Sequence, residues 1–481
     1  MLRLCLLLTF ARAAHAFWRL PCANPLVVER VVNPLTNPGT VSGHVHSIAG
    51  GSNFNLNMDF DTARASQCTS CQVKQDMSNY WTPNLYFAFA NGTFAAVDAP
   101  GPLVYYLPRK NNESEVVKAF PDGYRMLAGD PYTRTYDGSD MAKAIGWNCL
   151  GGKQEPTRNP WLPTENCPTG LRGEIMFPSC WNGVDVDSSS HQSHVAYPIG
   201  GESGPCPAGF PVRTVTIFYE IWLSTDPWKD LWDQALNTTQ PFVTSQGDPT
   251  GYSWHDESFS CSRPVFSPYI RDFNNAWDGE VLQNAIDECT DDSGVIEKCT
   301  IFDLYDYSDL SSNRCQQTSF IDEQVEGLLT ALPGNNPYTP GPDRITMLAE
   351  DSPPSINGEV TVFGGAVANH TVKANTDGSS DGGSTGGSSS AGGGASATNG
   401  SSATKGTSAA ATGTGTAKAE ASSTGSASSG GSSGGSSSSE STSSEDDGSS
   451  SASSDLPLGL SALQWGLVGG GFIFLIMGAI M

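Results

Sequence analysis

Val212-Arg-Thr-Val-Thr-Ile-Phe-Tyr-Glu-Ile-Trp222 is rich in β-branched and aromatic residues and alternates with the two-residue period of an extended strand. One face reads Val215, Ile217, Tyr219 and Ile221 and belongs to a core, while the opposite face presents Thr216, Phe218, Glu220 and Trp222. Outward from this stretch, the same pattern marks strands at Asn84 to Ala90, Leu103 to Pro108, Glu174 to Phe177 and Ser193 to Tyr197, separated by frequent Pro and Gly. Helical spacing appears at Glu280 to Glu288 and at Phe320 to Leu332. Many short strands, long loops and few short helices predict a mainly β fold, a disulfide-braced β-sandwich or jelly-roll-like body. No nucleotide-binding Gly-rich pattern, repeat or coiled-coil heptad accompanies them.

The chain has 481 residues, but its composition is unevenly spread. Residues 1–16 carry one early Arg, an apolar run and Ala14-His-Ala16, which reads as a signal peptide with its cleavage site. Residues 367–455 are dominated by Ser, Gly, Thr and Ala, with no aromatic side chain to bury, and are expected to form a disordered stalk. Residues 456–481 are apolar and contain no Lys or Arg, matching a glycosylphosphatidylinositol (GPI) attachment signal better than an ordinary membrane span with a basic flank. One secreted β-rich domain over 17–366 remains. The expected location is extracellular, at the cell surface, held to the membrane through a lipid anchor. A formal charge of -25 argues against nucleic acid as a partner, because phosphate binding needs clustered Lys and Arg.

Of 12 cysteines, Cys5 falls in the signal, leaving an odd set for the body. Disulfides plus one unpaired thiol are expected, with a local bridge within Cys68-Thr-Ser-Cys71. Sequons begin at Asn91, Asn112, Asn237, Asn369 and Asn399 and would place these positions on glycosylated surface.

The 7 histidines are clustered. His15 lies in the signal and His370 near the stalk; the others occur as His44-Val-His46, His191-Gln-Ser-His194 and His255 in Gly251-Tyr-Ser-Trp-His-Asp256. Residues two apart on an extended chain face the same side, so His44 and His46 can converge on one ion, and His191 and His194 can do so on a turn. The candidate metal ligands are therefore His44, His46, His191, His194 and His255, for copper or zinc, with Asp59, Asp61, Asp185, Asp187 and Asp256 near them in sequence. A copper oxidase using an N-terminal histidine is disfavoured, because cleavage after Ala16 leaves Phe17 first. The alternatives are acid–base roles for His44 and His194, or rings that only brace loop backbones.

A second constellation suggests sugar. Glu220 between Phe218 and Trp222 resembles a polysaccharide cleft, where ring faces stack on sugars and carboxylates bind hydroxyls or move protons. Trp81 and Tyr80 in Ser78-Asn-Tyr-Trp-Thr-Pro83, with Trp181 and Trp222, are the candidate substrate platforms. Glu220 with Asp59, Asp61 or Asp187 is the candidate carboxylate pair of a glycoside hydrolase. Alternatively Glu220 is covered and paired with an Arg such as Arg213 or Arg64.

Ser42-Gly-His-Val-His-Ser-Ile-Ala-Gly-Gly-Ser52, Met58-Asp-Phe-Asp61, Cys68-Thr-Ser-Cys71, Ser179-Cys-Trp-Asn-Gly183, His191-Gln-Ser-His-Val-Ala-Tyr-Pro198 and Gly247-Asp-Pro-Thr-Gly-Tyr-Ser-Trp-His255 come in an order that resembles a family of secreted fungal proteins, Domain of Unknown Function nineteen-ninety-six. The resemblance spans about Leu20 to Trp277 and implies a fungal surface or wall-associated protein, without supplying a reaction or a catalytic residue. Glu257 to Tyr269 is a departure, separating His255 from Asp272-Phe-Asn-Asn-Ala-Trp-Asp278. The leading expectation is a GPI-anchored wall protein that binds or hydrolyses a glucan-type polysaccharide. The alternatives are a copper- or zinc-binding surface protein and a non-enzymatic structural or adhesive one.

Overall fold

Thr216–Leu223 is the central strand of a five-stranded antiparallel sheet, flanked by Leu103–Leu107 on one side and Leu171–Met176 on the other. Trp18–Pro21 and Ile145–Cys149 form its edges. The alternation in the sequence sets its sidedness: Ile217, Tyr219, Ile221 and Leu223 are buried, whereas Phe218 and Glu220 are half-buried and Trp222 is exposed. A one-residue slip would invert every one of these assignments, so the apolar face pins the register. Behind the inner face, Trp18, Tyr106, Trp147, Trp254 and Trp277 join the main core. Removing each large apolar side chain from water contributes roughly 1.5–3 kcal/mol.

The computed structural model describes residues 16–22, 24–30, 39–153, 158–255, 275–306, 314–346, 350, 352–365 and 367–375. Residues 1–15 of the signal segment, the anchor segment, most of the Ser/Gly-rich stretch, Asp256, Cys261 and the whole of Glu257 to Tyr269 lie outside the described residues. The chain divides into two compact units, Met1–Ser388 and Ser389–Met481, and every described residue lies in the first. None of the described helices is long and apolar enough to cross a membrane.

The fold is mainly β, disulfide-braced and loop-rich, with its strands shared among five sheets of three to five strands. A three-stranded sheet, Val27–Glu29 with His46–Gly50 and Asn79–Pro83, packs on a second core made of Leu26, Ile48, Phe54, Leu56, Trp81, Phe320 and Val362. The final strand of the body, His370–Lys373, pairs with Glu359–Phe363, so ordered pairing runs past the expected boundary at residue 366. Asn55 and Asn57 side chains donate to the carbonyls of Lys373 and Asn375 and hold that edge in place.

The helix Gly279–Glu288 forms where periodicity predicts it, capped by Asp278 and burying Leu282, Ala285 and Ile286. Phe320 to Leu332 is not helical: Leu328–Leu329 pairs with Phe94–Ala95, and Gly327 turns the chain at φ +77°. Phe320, Ile321, Val325, Leu329 and Leu332 are buried from an irregular path instead, while Leu328 is exposed.

Cys68 and Cys71 do not bridge each other. Cys71 pairs with Cys22 inside the main core, and Cys68 pairs with Cys315 inside the second core. The turn thus straddles two cores, and each thiol meets the chain on its own side. Cys149–Cys167, Cys180–Cys206 and Cys289–Cys299 complete the set among the described residues. Four of the five sequon asparagines, Asn91, Asn112, Asn237 and Asn369, are described, and all are exposed.

Candidate metal centre

His44, His46 and His255 come together with one ring nitrogen each inside a span of 4.8 Å, and all are buried. Two come from one strand entrance. His46 opens the strand His46–Gly50, opposite Pro83 on one side and Glu29 on the other. His44 precedes it by two residues, in a bend at the strand's entrance, and the two ring centroids lie 4.5 Å apart.

Val45, between them, ties this entrance to the loop that carries His255. Its carbonyl accepts from Ser245 Oγ at 2.8 Å and from the Asn84 N–H at 3.2 Å. His255 then approaches edge-on, its ring centroid 5.1 Å from that of His44 and 6.3 Å from that of His46. Gly129 lies so close that a Cβ there would fall 2.6 Å from the His255 Cβ, and its φ of +86° also demands glycine.

The motif Gly247-Asp-Pro-Thr-Gly-Tyr-Ser-Trp-His255 is a positioning device. Asp248, fully buried, accepts from the N–H and hydroxyl of both Thr250 and Ser253, and Arg134 lies 3.7 Å away to balance its charge. Gln246 donates to the Ser253 carbonyl and hydroxyl, each at 2.8 Å. The fixed Ser253 carbonyl in turn lies 2.5 Å from His255 Nδ1. A carbonyl only accepts, so Nδ1 donates to it and the ring is turned with Nε2 inward. That Nε2 faces His44 Nε2 at 3.1 Å. Two nitrogens bound to one ion at about 2.0–2.1 Å in tetrahedral geometry sit a little over 3 Å apart, so the spacing fits a shared metal. An Nδ1–H donated to a backbone carbonyl is also the usual means of orienting a metal-binding imidazole. Three imidazoles suit zinc or copper, the metals that favour nitrogen donors.

His191 and His194 are not part of this cluster. His191 Nδ1 contacts Asp187 at 2.6 Å, and Asp187 also binds Arg125 at 2.9 Å. His194 donates from Nε2 to the Arg125 carbonyl at 2.5 Å and accepts at Nδ1 from the Ser188 hydroxyl at 3.0 Å. Burial holds its pKa down at about 4, so the ring stays neutral. These two histidines brace the backbone around Arg125 to Leu127, the loop-bracing alternative for this pair.

The carboxylates are separated in the same way. Asp59 caps the short helix Phe60–Arg64 by accepting from the Thr62 N–H at 2.7 Å, and Asp61 is exposed in its first turn. Glu220 meets neither of them, nor Arg213 or Arg64. Its cross-strand neighbour is Glu174, and Arg172 bridges the two at 3.1 Å and 2.7 Å, while Tyr105 donates its hydroxyl to Glu220 at 2.7 Å. Burial raises the Glu220 carboxyl, with Arg172 acting against it. Of the aromatic platforms, Trp81 is core beside Phe54, and Tyr80 is fully buried, bonded to Asp76 and to the Tyr106 hydroxyl at 2.7 Å. Trp181 is half-buried and donates to the Asp185 carbonyl, whereas Trp222 stays open at 54 % exposure. The supporting residues Asp248, Ser253, Gln246 and Glu174 escaped sequence reasoning; the turn signature Asp-Pro-Thr-Gly was the signal for the first two.

Residues 33–260 match the family described as Domain of unknown function (DUF1996). That stretch of the chain is similar to the family's domain. The matched stretch of the family domain contains all of His44, His46 and His255, the Asp248 loop that sets the third ring, and both Glu174 and Glu220. No curated protein and no solved structure matches the chain.

Proposed function

We propose that this protein is an extracellular surface protein whose folded body binds a transition metal ion, zinc or copper, on His44, His46 and His255. The observation that carries this reading is the convergence of three buried rings with donor atoms within 4.8 Å. The carbonyl of Ser253 supports it by turning His255 Nε2 inward. Burial matters to the chemistry, since a buried cluster of nitrogen donors excludes competing water and holds an ion tightly. Extracellular placement is supported by five disulfides among the described residues and by four exposed sequons, with the signal-like start and apolar tail giving secretion and surface attachment.

The test is elemental analysis of the secreted protein with thermal melting before and after chelation. About one zinc or copper ion per chain is expected, and its removal lowers Tm, because an ion present at a thousand times its Kd stabilises by about 4 kcal/mol. His46→Gln abolishes the metal content, whereas His194→Gln lowers Tm but leaves the metal bound. Metal-free protein whose melting ignores added zinc and copper would remove the reading and leave a structural wall protein.

A further inference from the structure

The outer face of the five-stranded sheet forms the floor of an open groove of about 730 Å³, a volume typical of small-ligand sites. The three sheet strands that contribute to it offer Tyr105 and Leu107, Thr216 and Phe218, and Glu174 and Met176. Phe17 stacks nearly parallel to Tyr105 at 6.0 Å, and Phe218 meets Tyr105 edge-on at 5.4 Å. Further along the central strand the same face carries Glu220 and then Trp222. The Trp222 indole lies against Gly170, where a Cβ would fall 1.6 Å from its Nε1, so the exposed ring is held flat by a glycine rather than left to swing. Residues 218 and 222 stand about 13 Å apart at strand rise, longer than one sugar ring.

The charges of the groove cancel. Arg109 pairs with Glu202 at 3.1 Å, Arg158 with Glu174 at 2.8 Å and Lys143 with Asp140 at 3.3 Å, in a chain whose formal charge is -25. A surface so acidic that keeps this groove neutral suits an uncharged ligand. Aromatic faces interleaved with guanidinium and carboxylate groups suit one that is apolar across its rings and hydroxylated at its edges.

The geometry points to a saccharide-binding groove: the outer face of this sheet takes a neutral, extended polysaccharide chain, with ring faces on Phe17, Tyr105, Phe218 and Trp222 and hydroxyls on Glu220 and Arg172. The role is binding. Arg172 holds both carboxylates, and Glu174 has further bonds from Arg158 and Asn148, so neither is arranged to attack or to give up a proton. The site is separate from the histidine cluster and does not depend on it.

Calorimetry on the full secreted protein with laminarihexaose, cellohexaose and chitohexaose tests this. At least one of them binds, Trp222→Ala and Phe218→Ala each weaken it several-fold, up to about tenfold, and chelation leaves binding unchanged. Trp222 is exposed, so its replacement keeps the fold and melting confirms it. The proposal is overturned by no binding at millimolar oligosaccharide, or by binding that both substitutions leave unmoved. It is likewise overturned by preference for polygalacturonate over the neutral chains, or by an apolar dye that laurate displaces and the oligosaccharides do not.

Discussion

At His255 a single backbone carbonyl decides which way the ring is turned, and the same economy recurs at other buried polar residues. Asp76 is fully buried, accepts from the Ser78 N–H at 2.9 Å and from the Tyr80 hydroxyl, and has its pKa raised by burial from 3.8 to about 6. A raised carboxyl favours the protonated form in the folded state, so folding takes up a proton between about pH 4 and pH 6. The associated stability is full below the unfolded value and is lost as pH rises through about 6. The loss amounts to about 2–3 kcal/mol. Asp76→Asn is therefore expected to flatten stability across that window relative to the parent, measured as urea midpoints at pH 4, 5, 6 and 7. Parallel pH profiles for the two proteins would contradict the assignment.

At the scale of elements, the turn around Cys68 and Cys71 is the joint between two cores. The Cys68–Cys315 bridge closes a loop of 247 residues, for which chain entropy suggests about 5 kcal/mol of stabilisation as an upper figure. It also fastens the sheet of Gln316–Gln317, Glu359–Phe363 and His370–Lys373 to the rest of the body. Replacing both cysteines by Ala is expected to lower Tm by more than replacing the pair Cys289 and Cys299, whose separation is 10 residues. Equal losses would mean that loop length is not what counts. The central strand shows the other element-level rule: its inner residues set register, which leaves the outer ones, Phe218, Glu220 and Trp222, free for a ligand.

At the scale of the whole molecule, three apolar clusters and all the described disulfides lie between residues 16 and 375. A chain of residues 17–375 secreted without the Ser/Gly-rich and apolar segments is expected to fold, with near-UV circular dichroism and metal content equal to those of the full protein. A molten spectrum or loss of the metal would show that the rest of the chain takes part in the fold.

Alternation separated core from open face only from Ile217 to Leu223, since Arg213 to Thr216 are buried in succession and Val212–Thr214 pairs in a different sheet; Pro, Gly and Cys usage was enough for a loop-rich, bridged β body. His44 and His46 were readable as a pair from their two-residue spacing, although only His46 lies on the strand and His44 sits in the bend before it. Local rules reach that far and no further. That His255 joins them while His191 and His194 turn to Asp187, Ser188 and Arg125 depends on which loops lie side by side, a property of non-local packing. Glu174 rather than Asp59 or Asp61 faces Glu220 for the same reason, since strand order and register bring together residues 46 positions apart. Cys68 and Cys71 went to separate partners because each had a different core behind it, and no spacing within the turn encodes that.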